Sequence, residues 1–181
     1  MAELNEEQIQ RYARHIVLKE VGGLGQAALL DAKVLVVGAG GLGSPMLMYL
    51  AAAGVGTIGL VDDDEVSLSN LQRQIAHGTP DIGRAKVNSA KDRAVALNPD
   101  ITFVPHRTRL NSGNVMDFLT NYDIIADGTD NFDTRFLLND ACFLARKTLV
   151  SAAVLRFDGQ LSTYKAYLAV SYTHLTLPTK A

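Results

Sequence analysis

The sequence holds one cysteine, Cys142, and no tryptophan in 181 residues. A single thiol excludes an internal disulfide and any zinc site built from cysteines alone. No apolar run approaches the ~20 residues that a membrane span requires. Neither sign of charge dominates: 17 Lys and Arg stand against 19 Asp and Glu, a net charge of −2. That balance excludes the broad basic footprint of a nucleic-acid binder or of a protein held on an acidic membrane. Residues 1–10 are acidic and polar, unlike a secretory signal, so the expected compartment is the cytoplasm. No repeat or low-complexity tract interrupts the chain. His15, His77, His106 and His174 are scattered, and each reads as a surface or core residue. No Ser–His–Asp arrangement is visible, and Cys142, beside Phe143 in a helical stretch, reads as a packed thiol. What is present is a 48% hydrophobic, 20% charged composition. It suits one globular domain that buries roughly 70% of its unfolded surface.

The chain is organised around residues 33–64. Residues 34–37 form a short β-branched run suited to a strand buried on both faces. Gly38, Gly40 and Gly43 then supply a Gly-x-Gly-x-x-Gly spacing, with Gly41 as an extra glycine. Pro45 falls in the first turn of a helix that runs to about residue 53 and stops at Gly54 and Gly56. Residues 58–61 read as a second strand closed by Asp62. A phosphate must approach backbone N–H groups at such a helix start, and a Cβ on the loop obstructs it. An acid about 20 residues further on accepts hydrogen bonds from a ribose. Strand, loop, helix and acid together point to nucleotide binding, without choosing the nucleotide.

Elsewhere the pattern alternates. Asn5 and Gln8 have capping-box spacing, and Ile9, Tyr12, Ala13 and Ile16 share a helical face. Arg11 and Arg14 lie off that face and read, on pattern alone, as a solvated flank. Gly22, Gly23 and Gly25 read as a flexible joint before a short apolar turn, residues 27–30. Residues 67–74 read as a loop with one helical turn. A helix is expected over residues 83–98, with Val87, Ala90, Ala94 and Leu97 inward and Pro99 as its stop. Lys86 in its first turn opposes the helix dipole, a local cost of ~0.3–1 kcal/mol that points to an anion-facing role. Further strands are expected at 101–104, 123–126, 149–152 and 160–164, with helices at 115–119 and 132–147. Asn131 or Asp130 can cap the latter helix. This is an α/β fold with a doubly wound, mostly parallel, Rossmann-like sheet behind an N-terminal helical segment, residues 1–32. The nucleotide domain is expected at 33–165, and 166–181 as an atypical tail that continues no element.

In such a sheet, ligands sit beyond the carboxyl ends of the strands where the strand order reverses. The glycine loop, Asp62 and the stretch Asp127-Gly128-Thr129-Asp130-Asn131 are expected to meet there, with Arg73 and Lys86 folding back over them. Asp130 beside phosphates calls for an intervening cation, and Mg²⁺ fits. Two protein cations and a magnesium suit the triphosphate of ATP and attack at phosphorus.

These motifs, in order, resemble the ThiF/MoeB/HesA family, whose members are similar to ubiquitin-activating enzymes. The stretches that carry it are Gly-Ala-Gly-Gly-Leu-Gly, residues 66–74 after Asp62, Gly83-Arg84-Ala85-Lys86, residues 127–131 and the opening Arg11-Tyr12-Ala13-Arg14-His15. The match covers about residues 5–165. The resemblance implies ATP-dependent adenylation of the C-terminal Gly-Gly carboxylate of a ubiquitin-fold sulfur carrier protein, serving molybdopterin or thiamine biosynthesis. It implies that Gly38, Gly40, Gly41 and Gly43 face the phosphates and Asp62 the ribose. Ser69, Asn70, Arg73, Lys86, Asp130 and Asn131 complete the nucleotide site, and Asp130 positions Mg²⁺. It implies a homodimer in which Arg14 reaches the partner's ATP, so that Arg14, Arg73, Lys86 and Asp130 form the catalytic set. Family members continue past the sixth strand with paired cysteines for zinc. One cysteine builds no such site, and the text after Lys165 is unlike the family, so a truncated chain is expected. Two other readings stand beside this one. An NAD-dependent oxidoreductase fits the glycine motif and Asp62 but leaves Arg73, Lys86 and Asp130 without a task. An inactive nucleotide-binding fragment fits the odd tail.

Overall fold

The computed structural model describes residues 4–165, 167 and 168. The expected tail at 166–181 otherwise lies outside the described residues. Six strands form one sheet in the order β3-β2-β1-β4-β5-β6. They are β1 (Lys33–Val37), β2 (Thr57–Val61), β3 (Thr102–His106), β4 (Ile124–Asp127), β5 (Thr148–Leu155) and β6 (Asp158–Tyr164). All neighbours pair in parallel except β5 and β6, which form an antiparallel ribbon. The expected doubly wound, mostly parallel sheet is therefore present.

Seven α-helices accompany the strands among the described residues: α1 (Glu6–Arg11), α2 (Ala13–Ile16), α3 (Gly22–Asp31), α4 (Gly43–Ala53), α5 (Lys86–Leu97), α6 (Val115–Leu119) and α7 (Phe132–Leu144). Two apolar cores follow from the period-2 alternation of the strands. Val34 and Val36 of β1 point to one face, with Leu47 and Ala51 of α4 and Val87, Ala90 and Ala94 of α5. Leu35 and Val37 point to the other, with Val115 and Leu119 of α6 and Leu138 and Ala141 of α7. Cys142 is packed in this second core, and burial pushes its thiol up to about 12, so it is no nucleophile.

Several local expectations are corrected. Residues 22–25 are not a joint: they open the ten-residue α3, held by Gln26 donating to the Ala53 carbonyl (2.9 Å) and by burial of Ala27. Tertiary contacts override the low helix propensity of three glycines. The N-terminal helix breaks at Tyr12, and of its expected inner face only Tyr12 is buried. The Tyr12 ring lies over Gly54, where a Cβ would come within 2.5 Å of it, and its hydroxyl accepts from Asn98 Nδ2 at 2.8 Å. The helix expected from residue 83 starts at Lys86, because Gly83 has φ +84° and turns the chain. Leu97 is exposed, not inward. The helix after Asn131 ends at Leu144, three residues early.

Candidate active site

The chain reverses sides between β1 and β4, which pair through Val37 and Asp127, so their carboxyl ends open a crevice. The glycine loop leaves β1 at this point. Gly38 has φ +90°, a conformation that L side chains rarely adopt. Gly43 lies so close to the turn that a Cβ would sit 1.8 Å from the Gly38 carbonyl oxygen. At Gly40, by contrast, a Cβ would meet nothing within 4 Å. Two glycines are demanded by the fold, whereas Gly40 faces open space in front of the start of α4.

Asp62 braces the loop. Its Oδ2 accepts from the Ala39 N–H at 2.8 Å and its Oδ1 from the Asp64 N–H at 2.9 Å. Each carboxylate oxygen retains a lone pair for a further donor such as a ribose hydroxyl. A short 3-10 turn, Leu68–Asn70, follows β2, with Asn70 Oδ1 accepting from the Ser67 N–H and Ser69 Oγ 3.0 Å from Ser67 Oγ. This turn delivers Arg73, whose Cδ would lie 3.4 Å from a Cβ on Gly41. Arg73 thus folds over the glycine loop, and its Nη1 donates to the Ser69 carbonyl at 3.2 Å. The next side chain, Gln74, is buried, and its Oε1 has no hydrogen-bond partner. A buried acceptor left unpaired is costly and marks a place where a donor belongs.

Lys86 is 4% exposed, and its Nζ donates to Asp64 Oδ2 at 2.8 Å. A buried ammonium requires a partner. Here the partner is a largely exposed carboxylate that a stronger anion can displace. The carboxylates of Asp62, Asp63 and Asp64 lie within 4.8 Å of one another, and Lys86 offsets part of that negative field.

The turn after β4 packs on the loop, since a Cβ on Gly38 would approach the Gly128 carbonyl at 3.2 Å. Asp130, two residues on, is exposed, and Asn131 caps α7 by accepting from the Thr134 N–H at 2.9 Å. Asp127 is 1% exposed and organises this turn. Its Oδ1 accepts from the Thr129 N–H and hydroxyl, and its Oδ2 from the Ser151 hydroxyl at 2.8 Å, with Arg135 Nε at 3.3 Å. Reasoning from the sequence missed Arg135. The signal that singled out Lys86, a cation near a helix start, was available for it too.

Residues 38–43, Asp62, Ser69, Asn70, Arg73, Lys86, Asp130 and Asn131 therefore belong to segments that share one rim of the sheet. Arg14 does not join them. It follows Tyr12, whose ring lies on Gly54 at the C-terminal end of α4, a helix about 16 Å long at 1.5 Å per residue with the loop at its other end.

The ThiF family matches residues 12–176. The chain belongs to the ThiF family. Among relatives, this ThiF chain is 53% identical over 161 residues to a probable adenylyltransferase/sulfurtransferase MoeZ of Mycobacterium tuberculosis, a match covering 89% of the chain and 41% of the relative. It is 47% identical over 160 residues to a SAMP-activating enzyme E1 of Haloferax volcanii, covering 88% of the chain and 59% of the relative. The chain thus spans 41% and 59% of the lengths of these two relatives. A solved structure of E. coli tRNA N6-threonylcarbamoyladenosine dehydratase, TcdA, in complex with ATP superposes with a TM-score of 0.78 at 26% identity, covering 83% of the chain and 61% of that protein. Among the described residues no helix of this ThiF chain is long and apolar enough to cross a membrane.

Proposed function

We propose that this chain adenylates the C-terminal glycine carboxylate of a ubiquitin-fold sulfur carrier protein, in the cytoplasm, for sulfur transfer in molybdopterin or thiamine biosynthesis. The observation that carries this reading is the pair of cations at the glycine loop: Arg73 folded over Gly41, and the buried Lys86 held by an exposed, displaceable Asp64. An NAD-dependent oxidoreductase has no use for both. Names of relatives support the same reading: an adenylyltransferase/sulfurtransferase and an activating enzyme.

ATP fits the residues present. Gly40 leaves the loop open to a phosphate, and Arg73 lies over the neighbouring Gly41. The free amides of the loop and the start of α4 would bind phosphate oxygens. Asp62 would accept from the ribose, and Ser69, Asn70 and Asn131 would line the nucleotide. One oxygen of the carrier's carboxylate attacks the α-phosphorus, a new O–P bond forms, and the bond to the bridging oxygen breaks to release pyrophosphate. Both reactants are anions, so Arg73 and Lys86 lower the barrier by meeting charge that grows at phosphorus. Asp130, exposed at the end of β4, would hold Mg²⁺, which when bound neutralises the departing phosphates. Arg14 would serve the site of a second copy in a homodimer, since its own loop is a helix-length away.

The test is ATP–pyrophosphate exchange with added carrier. Lys86→Ala and Asp130→Ala should each lower it by about 100-fold or more, the scale of one lost transition-state contact, ~3 kcal/mol. Near-wild-type exchange in either variant removes that residue from the site. Calorimetric binding of NAD in preference to ATP–Mg²⁺ would favour the oxidoreductase.

A further inference from the structure

One residue of the glycine loop, Ala39, has its backbone held by three side chains. Its N–H donates to Asp62 Oδ2, and its carbonyl accepts from the Ser44 hydroxyl at 3.0 Å and from His77 Nε2 at 3.4 Å. A carbonyl only accepts, so Nε2 carries the proton; in a neutral ring Nδ1 then accepts from the Ser89 hydroxyl, 2.9 Å away. Ser89 is buried on α5, three residues after Lys86 and so on a neighbouring part of the same helix face. The backbone of His77 is itself fixed, its N–H donating to the Gln74 carbonyl at 3.1 Å, immediately after Arg73. One buried imidazole thus touches the loop, the helix that starts with Lys86 and the segment that delivers Arg73. Nothing in the reaction needs its proton.

We propose that His77 is a positioning residue that latches the glycine loop to α5 and so fixes the separation between the loop amides and the Lys86 ammonium. The inference rests on the nucleotide reading above and adds a residue to it. Burial lowers the pKa of the ring from its ordinary 6.5, against the pull of the Ala39 carbonyl and with the help of the Lys86 charge. Asp62 and Asp81 are the acids that face it and pull the other way. A neutral ring at pH 7 supplies geometry and no charge, as a latch between two anion-binding parts should.

Two substitutions separate the latch from mere core filling. His77→Gln places an amide N–H near the Nε2 position and keeps the reach to Ala39; His77→Asn is shorter and reaches only toward Ser89. Ser89→Ala leaves the ring in place and removes its far anchor. The first readout is amide hydrogen exchange of residues 38–43 in the protein without nucleotide, relative to the amides of β1. The second is calorimetric affinity for ATP–Mg²⁺. His77→Asn, which loses the Ala39 contact, should speed loop exchange by about tenfold, the worth of one hydrogen bond, while His77→Gln and Ser89→Ala, which lose only the anchor on α5, should speed it alike and by less. Affinity should follow the same order. Unchanged loop exchange in His77→Asn, or equal acceleration of loop and β1 in all three variants, would overturn the latch. If the wild-type chain binds no ATP–Mg²⁺, the nucleotide reading fails, and the exchange measurement still decides whether the ring holds the loop.

Discussion

Gly40 and Gly43 share a motif but carry different burdens. A methyl on Gly43 would collide with backbone, the Gly38 carbonyl oxygen at 1.8 Å, and backbone cannot swing aside. Gly43→Ala should therefore destabilise the fold by about 3 kcal/mol, the upper range for overpacking, measured by urea unfolding. Gly40→Ala meets nothing within 4 Å and should unfold at nearly wild-type urea while losing ATP affinity in calorimetry. The sequence made the loop legible, because glycine spacing, strand and acid coincide. It did not tell the glycine that packing demands from the one left in open space and proposed to face a phosphate, since both needs select the same residue. Lys86 stood out by its misfit with the helix dipole, and the fold buries it against Asp64. His77 did not stand out, because its two partners, Ala39 and Ser89, lie 38 and 12 residues away and only the folded sheet brings them together.

At the level of elements, β4, α7 and β5 are joined by a buried ionic knot. Arg135 Nη2 donates to the Ala152 carbonyl at 2.8 Å and to the Ser151 hydroxyl at 3.0 Å, while its Nε faces the buried Asp127. Removing one member leaves the other charge buried without a counterion. Arg135→Ala should cost about 3 kcal/mol in chemical unfolding and should also loosen the turn that carries Asp130, raising the ATP–Mg²⁺ dissociation constant. Elements with a local signal were readable, β1 as a short β-branched run buried on both faces and α4 as a helix between the glycine loop and Gly54. The helix α3 was not, because its stability comes from contacts made by Gln26 and Ala27 with the rest of the fold. The far half of the β5–β6 ribbon leaves Val154, Leu155, Phe157 and Leu161 exposed, so this ribbon is the least enclosed part of the sheet.

For the whole molecule, the buried His77 and the half-buried His106 set the response to acid. Burial lowers the pKa of both His77 and His106 from 6.5, and His106 is further engaged with the Tyr122 hydroxyl at 2.9 Å. The unfolded chain then binds more protons than the folded one just below pH 6.5. Stability is full above 6.5 and declines as pH falls through the lowered folded values. The melting temperature should drop between pH 7 and pH 5, and replacing both histidines by glutamine should flatten that slope, since few other groups titrate there. The Tyr12 ring seated on Gly54 has a consequence for mixtures of chains. In the proposed homodimer it would hold Arg14 near the end of α4 remote from the loop, so that every catalytic centre would be composite. A chain lacking Arg14 and one lacking Lys86 would each be inert alone, yet equal parts reshuffled together would form hybrids with one intact centre apiece. Such a blend should regain roughly a quarter of the wild-type turnover, whereas a centre contained in one chain would regain none.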